Sequence, residues 1–141
     1  ENKPVENGFS ESLVSKQTKR AIEKDFTYKD FNDLALKQDY QNLIPLYEKT
    51  VAKYPNLQLQ EGMLNMLGLR LSFDSKKAKQ GVNVFLLALH LYPKSANLYD
   101  SLAEGYLFMG KKEKAIESFE KSLELNPQNQ NAIDRLEQLR E

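Results

Sequence analysis

Three groups of side chains in this chain have types and spacings that could do chemistry. Ser118 and Lys121 stand in an S-x-x-K arrangement, Ser118-Phe119-Glu120-Lys121, in which a lysine one helical turn away can take the proton of a serine nucleophile. His90 is the sole histidine and the natural candidate for a general base near neutral pH. Lys76, Lys77 and Lys79 crowd into one short run and could hold an anion.

Each of these has a plainer reading. Phe119 lies on the apolar stripe of its helix, which predicts Ser118 and Lys121 on ordinary helix surface. His90 falls near the end of a helical pattern, where the dipole favours a cation. No partner for it is suggested nearby, so it reads as a surface or half-buried side chain. No aromatic residues interleave with the lysines, so that run reads as a solvated turn. The G-x-S-x-G pattern is absent, and glycines 62, 68, 81, 105 and 110 form no phosphate-cradling loop. One histidine and no cysteine supply no converging ligand set for a metal. The sequence therefore predicts no catalytic residue, no cofactor and no metal.

Charge and hydropathy argue against two further classes. Residues 1–60 carry nine basic and nine acidic side chains, and residues 61–141 carry eleven of each. Neither half is a basic footprint for nucleic acid. No apolar run approaches the ~20 residues needed to cross a bilayer. The lack of cysteine leaves the compartment open. A start at Glu1 rather than Met, with no signal peptide, is expected of a mature product or of a piece of something longer.

The elements that must position these side chains are helices. In residues 96–129, Tyr99, Leu102, Ala103 and Tyr106 recur at three- and four-residue steps and share one face. Ala103 leaves a hole, Ala115 lets the following helix approach, and Phe119 is the knob that fills the gap. Gly110 suits the positive φ just past a helix end. Pro127 stops the second helix and biases Asn126 away from the helical region. Ser95 and Asn129 suit N-caps.

With Ala96 as the first of 34 positions, Tyr99, Leu102, Ala103, Tyr106, Gly110, Ala115, Phe119, Ser122, Leu125 and Pro127 fall at 4, 7, 8, 11, 15, 20, 24, 27, 30 and 32. That spacing resembles the tetratricopeptide (TPR) repeat. The resemblance implies an all-α, TPR-type right-handed solenoid of about three antiparallel hairpins plus a C-terminal capping helix.

The rest of the chain is read against this unit. Residues 1–20, polar apart from Val5, Phe9, Leu13 and Val14, read as a flexible arm or linker, turning helical from about Glu11. The helical repeat domain is then 21–141. Residues 21–55 read as a divergent repeat, with a break near Phe26–Thr27, a Thr27/Asp30 capping box and Asp39 or Asn42 capping the second helix. There Tyr47 takes the place of Phe119 and Leu34 that of Tyr106. Residues 56–60 are a connector longer than a repeat needs. Residues 61–93 form a repeat if the turn near Phe73–Gln80 carries one extra residue; Gly68 here and Gly105 in the next unit permit close packing. Residues 96–129 are the clear repeat. Residues 131–141 form the capping helix, with Ala132, Ile133, Leu136 and Leu139 inward and Asp134, Arg135, Glu137 and Arg140 outward.

From about Glu61 to Leu139, EGMLNMLGLRL and YPKSANLYDSLAEGYLFMGKKEKAIESFEKSLELNPQNQNAIDRL resemble the C-terminal TPR segment of bacterial serine hydrolases, β-lactamase-related enzymes and α/β-fold esterases. Gly81, where alanine is usual, and the longer turn before it depart from that pattern. The resemblance implies a non-catalytic accessory domain in a bacterial cytoplasm or periplasm, and it brings no active site with it.

In TPR proteins the groove is lined by positions 2, 5, 9, 12 and 13. The resemblance therefore implies Gly62, Asn65, Leu69, Ser72 and Phe73, then Asn97, Asp100, Glu104, Leu107 and Phe108. Leu69, Phe73, Leu107 and Phe108 would form an exposed apolar strip that is costly unless covered. Asp100 and Glu104 beside it would repel a terminal carboxylate. They would suit a Lys- or Arg-bearing segment next to apolar anchors. That segment belongs to a partner protein or peptide, to an upstream catalytic domain, or to this chain's arm through Lys3, Val5, Phe9 and Lys16. The alternative function is self-association as a homodimer, or packing of domains within one polypeptide.

Overall fold

The computed structural model describes residues 25–141. The expected arm and residues 21–24 of the expected divergent repeat lie outside the described residues. Helix α1 (Tyr28–Lys37) opens on the expected capping box. Thr27 Oγ1 accepts from the Asp30 N–H at 3.3 Å, and the Asp30 carboxylate accepts from the Thr27 N–H at 2.9 Å. Two donors with no intrahelical partner are satisfied together.

Helix α2 (Leu43–Lys53) departs from expectation at its start. Asn42 is its N-cap but sits in the left-handed region and makes no side-chain capping bond. Asp39 does not cap it either, and instead accepts from Gln80 Nε2 of a later helix at 3.2 Å. Asp39, Tyr40 and Asn42 all have positive φ, so the turn is too tightly wound for a side chain to reach back to the helix. Pro45 lies in the first turn, where its missing N–H is no loss.

The connector at 56–60 is a strap. Leu57 and Leu59 are buried while Gln58 and Gln60 are exposed, the alternation of an extended chain. Tyr92 Oη donates to the Leu59 carbonyl at 2.6 Å and pins it. Phe26 stacks on Tyr54 just before the strap, with ring centroids 4.3 Å apart.

Helix α3 (Glu61–Leu69) runs without a break into a π-helical turn at Arg70–Asp74. Helix α4 spans Ala78–Leu91. The extra residue required near Phe73–Gln80 is absorbed by this wider turn. Lys76, at φ 54, then holds the place that Gly110, at φ 73, holds in the next unit. Downstream register is kept: Phe85 and Phe119, one repeat length apart, are both 0% exposed.

The wider turn also accounts for Gly81. A Cβ there would collide with the Ser72 hydroxyl and the Gly68 carbonyl. The π turn brings Ser72 inward and the α3 backbone up against α4, so the usual alanine does not fit. Ser72 is buried and its Oγ has no hydrogen-bond partner. At Gly68 a Cβ would enter the Phe85 ring, the close approach expected from sequence.

Helices α5 (Ala96–Phe108), α6 (Lys112–Leu125) and α7 (Gln130–Arg140) follow. Ser95 Oγ accepts from the Leu98 N–H at 3.1 Å, and Asn129 Oδ1 accepts from the Ala132 N–H at 3.4 Å, so both expected caps form. Ala103, Ala115 and Phe119 are fully buried, and Ala132 and Leu136 of α7 close their cluster. Tyr106 packs against both this cluster and the larger one spanning α1 to α5.

The described residues thus hold seven helices and no strand. They form the hairpins α1–α2, α3–α4 and α5–α6, with α7 on α6. α4 packs on α5 in the ordinary succession, but α2 makes its main contact beyond its own hairpin with α4. The architecture is the all-α helical-hairpin solenoid that the resemblance implied.

Candidate functional site

The residues singled out for chemistry do not assemble. Ser118 is buried, not on the helix surface as expected, and its Oγ donates to the Lys114 carbonyl at 3.0 Å. With Ala115, Phe119 and Ser122 it lies on a buried stripe at three- and four-residue spacing. Lys121 is exposed and pairs with Glu124 at 3.0 Å, which raises its pKa. The serine and the lysine therefore serve different environments. His90 does have a partner, contrary to expectation: its Nε2 lies 2.9 Å from Glu48 Oε1 on α2. Both side chains are exposed, and the contact links two helices rather than priming a nucleophile. Lys76, Lys77 and Lys79 lie exposed about the turn into α4. Among the described residues no group of His, Asp and Glu could hold a metal ion.

The expected groove residues fall on α3 with its π turn and on α5. Asn65 is half-buried, and its Oδ1 is buried without a partner. Leu69 packs against the larger core cluster and Leu107 against the smaller. The four-residue apolar strip is therefore narrower than the sequence implied, because two of its members turn into the core. What stays outside is Phe73 and Phe108, 42% and 54% exposed. Their rings meet edge to face with centroids 4.6 Å apart. The π turn delivers Phe73 to this contact. Met63 and Met66 on α3 are also exposed, and periodicity did not single them out.

The acids are not free in the way the sequence suggested. Glu104 is gripped by Arg135 of α7, with Nε to Oε1 at 2.8 Å and Nη2 to Oε2 at 3.0 Å. Arg135 was expected to face outward, but the buried Ala132 and Leu136 turn this helix so that residue 135 points back at α5. Asp100 Oδ2 accepts from Asn129 Nδ2 at 2.7 Å and its Oδ1 from Asn131 Nδ2 at 2.7 Å. Asn129 also donates to Ser122 Oγ, which donates to the Ala96 carbonyl at 2.7 Å. One asparagine thus caps α7 and ties three helices together. Asn97 is exposed. Sequence reasoning did not place Asn131 and Arg135 against the expected groove residues Asp100 and Glu104. The signal was present, since Asn131 stands one repeat length after Asn97.

Burial pushes the Tyr106 hydroxyl above its ordinary pKa, and the nearby Glu117 charge pushes the same way. Burial likewise raises Tyr28 and Tyr40, with Arg70 pulling in the opposite direction at both and the Asn32 hydrogen bond doing so at Tyr40. No helix among the described residues is long and apolar enough to cross a membrane.

Residues 96–129 match the tetratricopeptide repeat family. No curated protein matches the chain. Among solved structures, the fold is similar to that of the first TPR of Spaghetti (RPAP3) bound to the HSP90 peptide SRMEEVD. The TM-score is 0.54 and the identity 22%, over 79% of this chain and 85% of that one. The α5–α6 hairpin and the residues that close it are thus a tetratricopeptide repeat, set in an all-helical hairpin solenoid.

Proposed function

We propose that this chain is a non-catalytic protein-interaction module whose partner segment lies along α3 and α5. The observation that carries this reading is the exposed Phe73–Phe108 pair. Two large aromatic side chains held in water at a solenoid face are costly unless another surface covers them. The similar TPR structure, solved with a peptide, supports a peptide or protein as that surface. The dispersal of Ser118, Lys121 and His90 supports a role without catalysis.

The test is a photo-crosslinking residue at position 73 or 108 in the full chain, with a control at exposed Lys112. Crosslinking of a peptide or protein from the groove positions and not from the control is the expected result. Equal crosslinking from all three would remove the reading.

The accessory role rests on the resemblance of residues 61–139 to the TPR segment of bacterial serine hydrolases. In that reading the module belongs to a longer polypeptide and works beside a catalytic domain. Gly81 and the π turn before it are this chain's own departures from that pattern. Reading the coding sequence upstream of Glu1 tests it: a serine-hydrolase domain supports the assignment, and an unrelated domain ends it.

A further inference from the structure

We infer that the face formed by α3 and α5 takes a peptide segment in which a Lys or Arg stands about four residues from an aromatic or large aliphatic side chain. The inference rests on reading this face as the interaction surface, and it names the class of segment.

One anchor is apolar. Phe73 and Phe108 meet edge to face, which leaves much of each ring open to a third apolar group. The other anchor is anionic. Glu104 is neutralised by Arg135 and largely buried, so it does not serve. Asp100 is different. Both its oxygens are held by neutral amides, those of Asn129 and Asn131, and among the described residues no cation pairs with it. The amides fix the carboxylate in place without cancelling its charge, and a carboxylate has about four acceptor sites, of which two are filled. It is a pre-oriented acceptor for an incoming ammonium or guanidinium.

The spacing follows from helix geometry. Asp100, Glu104 and Phe108 stand at successive four-residue steps on one side of α5. Eight residues of helix span about 12 Å, and an extended peptide covers that in about four residues at ~3.3 Å each. A segment with a carboxylate at that point would instead meet Asp100 as a like charge.

The experiment is fluorescence anisotropy with the full chain and three labelled peptides at low and physiological salt. The first carries Phe and, four residues on, Lys. The second replaces that Lys by Glu, and the third replaces the Phe by Ala. The first peptide should bind at least roughly tenfold more tightly than either of the others. Phe108→Ala should abolish binding. Asp100→Asn, checked for folding by circular dichroism, should lose the preference for Lys over Glu, while Lys112→Ala changes nothing.

If the Glu peptide binds as tightly as the Lys peptide and is lost in Phe108→Ala, the groove reading stands and the charge preference is overturned. If none of the three binds, both fall. A roughly tenfold gain in affinity when Lys3→Glu and Lys16→Glu are combined would show the chain's own arm seated there, which overturns a separate partner. A dimer in sedimentation that Phe108→Ala dissociates would make the face a self-interface, with the same consequence.

Discussion

The guanidinium of Arg135 spans both oxygens of Glu104, so a cation that is 40% exposed neutralises a carboxylate that is only 12% exposed. The asymmetry decides what each partner's loss would do. Removing the arginine strands a nearly buried charge, whereas the Arg140–Glu120 pair nearby is about half exposed on both sides. Arg135→Ala should cost about 1–3 kcal/mol, and Arg140→Ala no more than about 1 kcal/mol. Adding Glu104→Gln to Arg135→Ala should recover part of the loss. Urea midpoints check this, and equal midpoints for the two single variants would contradict the geometry.

The two glycines at the entry to the second hairpin's helices should respond with opposite signs. At Gly81 a methyl group has no room between the Ser72 hydroxyl and the Gly68 carbonyl, so Gly81→Ala should destabilise by about 1–3 kcal/mol. At Gly62, in the first turn of α3, nothing lies within contact of a new Cβ. Gly62→Ala should stabilise by about 0.5–1 kcal/mol through lost freedom in the unfolded chain. Thermal melts of the pair test both signs, and a stabilised Gly81→Ala would remove the account of the π turn.

Ala115→Leu should destabilise by roughly 1–3 kcal/mol, because Ala115 is fully buried where α6 meets α5. Lys112→Leu, at an exposed position three residues earlier, should change stability little. Matching melting temperatures would contradict the register of the clear repeat.

That register was legible because every position of 96–129 is set by local spacing, from the cap at Ser95 to the stop at Pro127. The wider turn was legible only as a count, one residue too many, since the sequence does not say where a helix will loosen. Ser118 was misplaced because the buried stripe of its helix was drawn through Phe119 without its neighbour. The two-sided packing of α6 against α5 and α7 widens its buried arc enough to include it. The engagement of Asp100 and Glu104 was beyond local reading. It depends on which α5 residues α7 meets when Ala132 and Leu136 are buried, and no spacing within either helix gives that pairing. The docking of α2 on α4 is of the same kind, a pairing of distant elements that spacing within α2 does not announce.

Alkaline pH should unfold the chain earlier than ordinary tyrosines would. Tyr28, Tyr40 and Tyr106 are all held above their ordinary pKa, chiefly by burial. A raised pKa means the folded state keeps its proton longer than the unfolded one. The stability this contributes is full below the ordinary tyrosine value of about 10 and is lost as pH rises through the folded values. Circular dichroism should show stability falling above that pH, and Tyr106→Phe should soften the fall. A flat alkaline profile would refute it.

The strap at Leu57 and Leu59 has a consequence for the order in which the molecule comes apart. It is an extended stretch, and the polar links it accompanies are thin: Asn83 Nδ2 to the Tyr40 carbonyl at 2.9 Å, Gln80 to Asp39, and His90 to Glu48. At the other end, Asn129, Ser122 and Asp100 lock three helices through partly buried hydrogen bonds. Two grades of cooperativity are therefore expected, although one apolar cluster runs from α1 to α5. The α1–α2 hairpin should behave as an outer unit that lifts away while α5, α6 and α7 stay together. Native-state amide exchange should resolve it as a separate, lower-energy opening. The proposed groove residues on α5 would belong to the unit that opens last, so a ligand bound there would meet a surface that stays formed even when the first hairpin is loose.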